Sequence, residues 1–233
     1  FDLSPNGKRV VFAARGELFT MPVKKGALRN ISHSPAAREI SASWSPDGKS
    51  IAYLSDASGE YEIYVRSESG SGEARRITRD GDTWRNAPMW SPDSRYLAFT
   101  DQRHQLQIVE VASGKRTNAD QGRWSDLTGI AWSPDSRFIA YEKVARTQVP
   151  TIWLYALESG KAVQLLSDTM PNSAPAFDPQ GRYLYFASSR DFNLTNSAFE
   201  FNYLYTRAAR IYALSLSADG PSMAAIESDE ALS

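Results

Sequence analysis

The sequence predicts an all-β fold, a β-propeller built from four-stranded antiparallel blades. A ten-residue motif recurs five times, the copies are spaced like propeller blades, and segments with the 3.6-residue period of amphipathic helices are absent. The copies begin at Leu3, Trp44, Trp90, Trp132 and Phe177. Their prolines stand at positions 5, 46, 92, 134 and 179. This spacing matches the roughly 40 to 50 residues of a propeller blade.

Each copy contains a hairpin turn, as in Ser45-Pro46-Asp47-Gly48. Serine suits the first position of a type I turn, proline presets the second, and glycine accommodates the fourth. The turn joins a strand that ends on a large apolar residue, here Trp44, to a strand that is apolar on both faces, here residues 51–54. A strand buried on both faces fits a blade that packs between two neighbouring blades.

Two further strands complete each repeat. They are clearest in the second repeat, where residues 61–65 alternate between faces and residues 75–78 are short and polar, as suits an exposed edge. Equivalent third strands are predicted at residues 17–23, 106–111, 151–157 and 210–216. Four strands per repeat is the count typical of propellers.

The predicted blades divide the whole chain into five segments and a tail. The blades span about residues 1–35, 36–81, 82–123, 124–169 and 170–220, and the tail spans residues 221–233. The first repeat lacks most of its inner strand. An insert rich in Asn and aromatic residues, at residues 191–209, falls in a loop of the last repeat. Such an insert is either part of a binding face or a lid that packs its own aromatic side chains.

Composition excludes several classes of function. Twenty-six basic residues against 27 acidic ones give a formal net charge of -1, so charge predicts no partner among nucleic acids or anionic membranes. The absence of cysteine removes disulfides, thiolate nucleophiles and cysteine-ligated metals. No segment has the length of a membrane span, and the chain begins at Phe1 without an apolar leader. We expect an internal start, a soluble protein and a cytoplasmic rather than a secreted location.

The search for catalytic chemistry yields no candidate. A serine hydrolase needs a base beside its nucleophile, and the two histidines, His33 and His104, lie in polar linker and turn segments. Residues 80–82 (Asp-Gly-Asp) lack the further oxygen ligands of a calcium loop. Asp56, Asp101 and Asp191 end the second strands of three blades and are predicted to close turns by accepting backbone hydrogen bonds. The sequence therefore predicts no catalytic residue, no metal site and no cofactor.

The inner rim is the remaining candidate site. The first strand of each blade lines the central channel of a propeller, so the polar residues that enter these strands are expected to surround one opening. These residues are Arg38 and Glu39, Arg85 and Asn86, and Asn172 and Ser173. They predict either a site for an extended peptide or a small polar ligand, or a solvated rim without a ligand.

The repeat resembles the one shared by the tricorn proteases and the periplasmic translocation protein TolB. Four stretches are similar to tricorn-type proteases in particular: residues 1–17, 44–64, 81–84 and 201–214. In that family, propellers of six and seven blades precede helical, PDZ and serine-protease domains, and the second propeller admits peptides to the catalytic chamber. The resemblance implies that this chain is the C-terminal part of the seven-bladed propeller, and that the catalytic serine and histidine lie outside it.

The resemblance also implies partners. They are peptide substrates, the catalytic and PDZ domains of the same polypeptide, and further copies in a cytoplasmic homohexamer. The sequence also allows two other interpretations of the propeller's function. One is a free-standing, TolB-like propeller that acts as a scaffold for protein partners. The other is the regulatory propeller of an enzyme that resembles prolyl oligopeptidase.

Overall fold

The computed structural model describes residues 1–190, 195–196, 203–204 and 209–217. These residues contain β-strands, turns and loops and no helix, so the all-β prediction is confirmed. A membrane-spanning helix is accordingly not found in this part of the chain. Most of the insert at residues 191–209 and the tail at residues 221–233 lie outside the described residues.

Five sheets follow one another along the chain. The first contains β1 (Asp2–Leu3), β2 (Arg9–Ala14), β3 (Glu17–Pro22) and β4 (Arg29–Asn30). The second contains β5 (Glu39–Trp44), β6 (Ser50–Ser55), β7 (Glu62–Ser67) and β8 (Arg75–Arg76). The third contains β9 (Met89–Trp90), β10 (Tyr96–Thr100), β11 (Gln105–Glu110) and β12 (Arg116–Gln121). The fourth contains β13 (Thr128–Trp132), β14 (Phe138–Val144), β15 (Pro150–Ala156) and β16 (Lys161–Gln164).

The fifth sheet has three described strands, β17 (Asn172–Phe177), β18 (Tyr183–Ser188) and β21 (Arg210–Ser215). Between β18 and β21, a separate hairpin is formed by β19 (Thr195–Asn196) and β20 (Tyr203–Leu204). In each of the first four sheets, every strand pairs antiparallel with its sequence neighbours. This is the predicted blade topology, and one sheet lies within each predicted blade segment.

The turn between the first two strands is fastened by its own side chains. In the second blade, the Gly48 N–H donates to the Ser45 carbonyl oxygen at 2.8 Å. The Ser45 hydroxyl donates to Asp47 Oδ1 at 2.6 Å and accepts the Ser50 N–H at 2.9 Å, while Asp47 Oδ1 also accepts the Lys49 N–H at 3.1 Å. The serine and aspartate thus bond backbone N–H groups of Lys49 and Ser50 at the end of the turn.

The fourth turn position has a left-handed backbone in all five blades, with φ between 61° and 72°. Glycine adopts this conformation without strain, yet two blades carry Ser94 and Ser136 there. Ser94 Oγ accepts the Asp47 N–H at 3.0 Å, and Ser136 Oγ accepts the Asp93 N–H at 3.0 Å. In each case the serine bonds the turn of the preceding blade. The strain at these positions is therefore offset by a hydrogen bond between blades.

The hydrophobic core lies between adjacent blades and within none of them alone. Each blade-to-blade interface has its own cluster; the cluster between the second and third blades contains Leu54, Ile63, Trp90 and Phe99. Trp90 also donates its indole N–H to the Ser43 carbonyl oxygen of the preceding blade at 3.3 Å. Because the second, third and fourth sheets pack against a blade on each face, the central residues of their second strands, such as residues 51–54, are apolar and buried, as the sequence predicted.

Candidate functional site

The inner strands carry one buried residue at an equivalent position in four blades. This position lies five residues before the aromatic residue that ends the strand, and it is occupied by Glu39, Arg85, Leu127 and Asn172. All four are at most 3% exposed. Three of them belong to the pairs that the sequence places around an opening. The side chains of these three residues are buried in this structure, and contact with a ligand stays a prediction for them.

Arg85 shows what this position does. Its guanidinium forms ion pairs with Glu62 (Nη1 to Oε2, 3.3 Å) and with Asp80. It also donates to the carbonyl oxygens of Tyr61 at 2.7 Å and Thr83 at 3.4 Å. The side chains of Arg85 and Glu62 are both completely buried. Arg85 therefore fixes the connection between the second and third blades.

Glu62 holds the same connection from the other side. Its carboxylate accepts hydrogen bonds from the Thr78 hydroxyl, from the Gly81 N–H at 2.6 Å and from Arg76 Nη2 at 3.1 Å. Asp80 is shared between Arg85 and Arg116. Partial burial opposes ionisation of Asp80, but the hydrogen bond from Arg116 and the two guanidinium charges lower the pKa of its carboxyl below the usual value. The network thus keeps its charges paired.

The equivalent residues of other blades fasten their connections with different chemistry. Asn172 Nδ2 donates to the carbonyl oxygens of Ser167 at 3.0 Å and Met170 at 2.8 Å, and its Oδ1 accepts from Arg190 at 3.2 Å. Glu39 accepts a 2.7 Å hydrogen bond from the Ser34 hydroxyl. Leu127 packs in the cluster between the third and fourth blades. Glu39 and Asn172 thus each bond the segment that leads into their own strands.

The other predicted rim residues reach solvent. Arg38 and Asn86 are exposed, and Ser173 is half-buried. The Arg38 N–H donates to Asp56 Oδ1 at 2.6 Å, while Asn86 Nδ2 donates to Thr100 Oγ1 at 2.8 Å. Ligand contact by these three residues stays a prediction.

Small residues occupy most of the exposed positions on the inner strands, and the pairing of these strands is interrupted. The small exposed residues on or just before these strands are Ser41, Ala87, Gly129, Ala174 and Ala176, and the larger ones are Leu3, Met89 and Thr128. The pairing of the inner strand shifts register in the second, fourth and fifth blades, where Ser41, Gly129 and Ala174 have positive φ values of 56°, 58° and 53°. In the third blade, Pro88 removes a backbone donor just before β9. Bulges and proline keep an open strand edge from pairing with another chain.

An aromatic pair that the sequence analysis did not single out lies beside Arg85. Trp84 is 47% exposed, and its ring meets Tyr61 edge to face with centroids 5.1 Å apart. The Trp84 carbonyl oxygen accepts the Gln102 N–H at 3.1 Å from the turn between β10 and β11. Its signal in the sequence is a tryptophan inside the polar linker at residues 79–86.

The remaining polar candidates have structural partners. His33 is exposed, and His104 Nδ1 lies 2.5 Å from Asp126 Oδ1 at the surface. Asp101 accepts the N–H groups of Arg103 at 2.9 Å and Gln105 at 3.1 Å, so it closes a turn as predicted. Asp191, for which the same role is predicted, lies outside the described residues. A cluster of three or more potential metal ligands is not found in the described part of the chain.

Four successive four-stranded antiparallel sheets and a fifth sheet with three described strands share buried interfaces. This architecture defines the molecule as a β-propeller protein. The family model named "Tricorn protease second beta propeller domain" matches residues 1–232, and the chain belongs to that family. The tricorn protease of Thermoplasma volcanium is 27% identical over 231 residues, which covers 93% of this chain and 21% of that protein.

Two solved structures share the fold. The crystal structure of the tricorn protease superimposes with a TM-score of 0.79 at 20% identity, over 93% of this chain and 21% of that one. The structure of putative TolB from Agrobacterium tumefaciens gives a TM-score of 0.60 at 19% identity, over 92% of this chain and 76% of that one. The chain spans about a fifth to a quarter of the length of the peptidase relatives it matches.

Proposed function

We propose that this chain is a non-catalytic propeller region of a tricorn-type serine peptidase, and that it channels peptide substrates to a catalytic domain outside the chain. The observation that carries the proposal is the construction of the inner strands. Apart from Leu3, Met89 and Thr128, their exposed residues are small, which leaves room for a polypeptide. Their edges are interrupted by bulges at Ser41, Gly129 and Ala174 and by Pro88, which disfavours capture of a passing peptide as an extra strand.

The proposal extends to the surroundings of the chain. The catalytic and PDZ domains of the same polypeptide, and further copies in a cytoplasmic hexamer, are its proposed partners. Apolar side chains exposed on the first and fifth blades support completion of the ring by additional blades; Met21, Val23, Leu28 and Ile211 are among them. Such a cluster of exposed apolar residues is typical of a surface that another element covers.

The test uses a substitution that narrows the proposed channel in the full-length peptidase. Ala176→Trp places a large side chain at an exposed position of inner strand β17, whereas Val163→Trp places the same side chain on outer strand β16. We expect Ala176→Trp to lower kcat/KM for long unstructured peptides by about tenfold, a barrier increase of about 1.4 kcal/mol. Val163→Trp should stay within about twofold of the parent. Equal activity of the two variants would refute the channel.

The isolated chain supplies a second arm of the test. It should not hydrolyse the same peptides, because no nucleophile and base are adjacent in its described residues. The fold similarity to TolB keeps a free-standing protein-binding scaffold as the second candidate. Stable complexes of the chain with a folded protein, together with unchanged peptidase activity of Ala176→Trp, would favour that scaffold.

A further inference from the structure

The Tyr61–Trp84 pair is a half-exposed aromatic surface held by a buried charge network. Arg85 donates to the carbonyl oxygen of Tyr61 at 2.7 Å and to that of Thr83, the residue before Trp84, at 3.4 Å. The same guanidinium is anchored by Glu62 and Asp80. One buried cation therefore bonds the backbone at Tyr61 and beside Trp84, and the two rings contact each other. Aromatic rings on a backbone held in this way lose little conformational entropy when a ligand packs on them.

The neighbours of Trp84 are polar and exposed. Asp82 and Arg103 form an ion pair at 2.7 Å, with about half of each side chain in solvent. Gln102 of the same turn donates its N–H to the Trp84 carbonyl oxygen. Exposed Asn86 follows two residues later at the start of the inner strand. The surface thus combines an aromatic ring with adjacent groups that can bond a peptide backbone, next to the proposed channel.

The size of the surface decides between possible occupants. An indole that is 47% exposed offers on the order of 100 Å² of apolar area. A stable contact between two protein copies needs roughly 1,200 to 2,000 Å². One large side chain of an extended peptide, in contrast, matches the area that Trp84 offers.

We propose that the Tyr61–Trp84 pair is a docking site for one large apolar or aromatic side chain of an extended peptide. The inference rests on the proposed function, because it places the site where peptides would enter the channel. Aromatic pairs at this separation favour edge-to-face or offset packing, so a phenylalanine ring is the preferred occupant. Tryptophan and arginine are also the residues most often found at energetic centres of binding surfaces.

The test uses the complete chain and two capped heptapeptides, Gly-Ser-Gly-Phe-Gly-Ser-Gly and its counterpart with serine in place of phenylalanine. The chain has six tryptophans, and their indole N–H signals can be followed by NMR after selective labelling with ¹⁵N. The Trp84 signal is assigned from its loss in Trp84→Phe. We expect this signal to shift saturably with the phenylalanine peptide and far less with the serine peptide.

Variants distinguish binding at this site from nonspecific binding of the peptide elsewhere on the surface. Trp84→Ala should weaken binding of the phenylalanine peptide by about tenfold, as read from the indole signals of the unchanged tryptophans or by calorimetry. Trp84→Phe should retain most of the affinity. Trp124→Ala is the matched control, since Trp124 is 48% exposed on the equivalent connection of the next blade and has no described aromatic partner. It should leave the affinity within about twofold.

Three results would overturn the docking site. They are the lack of a saturable shift at millimolar peptide, equal weakening by Trp84→Ala and Trp124→Ala, and a Trp84-dependent self-association in sedimentation, which would identify a second copy as the occupant. The channel proposal is refuted by a different result, an unchanged activity of the Ala176→Trp variant. Peptide binding at Trp84 with an unaffected Ala176→Trp enzyme would retain the docking site and remove the channel.

Discussion

The buried Arg85–Glu62 pair offers the sharpest test of how the blades are held together. Arg85→Met keeps an unbranched apolar stem and removes the guanidinium with its charge and hydrogen bonds. Both partners have side chains without solvent exposure, so Glu62 would lose a counter-charge that water cannot replace. Removal of one partner from a buried ion pair costs about 3 to 5 kcal/mol.

The expected value lies at the lower end of that range. Glu62 keeps hydrogen bonds from Thr78, Gly81 and Arg76 when Arg85 is removed, and these still compensate part of its charge. We therefore expect Arg85→Met to lower the free energy of unfolding by about 3 kcal/mol. This is a large part of the roughly 5 to 15 kcal/mol that stabilises a typical domain.

Arg103→Met is the matched control, because it makes the same replacement in an exposed pair. Arg103 and Asp82 each have about half of their side chain in solvent, and exposed pairs contribute about 0 to 1 kcal/mol. Urea unfolding at neutral pH, followed by circular dichroism, measures both variants. Equal costs for the two, or a cost below about 1 kcal/mol for Arg85→Met, would refute the buried network as the element that fixes this connection.

Two further predictions concern the turn of the fourth blade. Ser136→Ala removes the hydrogen bond to the Asp93 N–H and keeps a side chain at φ 61°, whereas Ser136→Gly relieves the strain; thermal unfolding should show Ser136→Ala about 1 kcal/mol less stable than Ser136→Gly. Burial opposes ionisation of Asp135, but hydrogen bonds from Ser133 and the Arg137 N–H, with the charge of Arg137, lower the pKa of its carboxyl. The stabilisation that the Asp135 carboxylate contributes to folding is therefore complete above the unfolded pKa of about 3.9. This stabilisation is lost as the pH falls below that unfolded value and through the lower folded pKa. Asp135→Asn should flatten the stability profile between about pH 4 and pH 2, and an unchanged profile would contradict this origin.

The blade architecture could be predicted because its determinants are local. The turn with serine, proline and aspartate is visible in three copies of the repeat, and close variants of it, Ser-Pro-Asn and Asp-Pro-Gln, stand in the first and fifth copies. The mainly apolar second strand follows each turn. The structure confirms the second strand of residues 51–54 as buried throughout. What a single repeat cannot reveal is the partner across the interface, such as the bond from the Asp47 N–H to Ser94 in the next blade.

The candidate site was harder to predict because successive residues of a strand face opposite sides, so only one residue of each polar pair is buried. The sequence prediction takes both polar residues at the start of each inner strand and does not align the strands on a common position. Counting back five positions from the closing aromatic residue places Glu39, Arg85 and Asn172 at one equivalent, buried position. Because the aromatic residue that ends each inner strand can be recognised in the sequence, this alignment of the strands can be made from the sequence alone. The chemistry at each position cannot be predicted in this way, since an acid, a base and an amide all occupy it.

Trp84 and Arg85 show how one connection can serve stability and binding through adjacent residues. An extended chain directs successive side chains to opposite sides, so the guanidinium enters the interface while the indole faces solvent. Substitutions at the two positions should consequently affect different properties of the protein. Trp84→Ala should weaken peptide binding and leave unfolding nearly unchanged, because a half-exposed ring contributes little packing. Arg85→Met should lower the unfolding free energy first, and it should reduce peptide affinity only by releasing the ring that Arg85 holds in place.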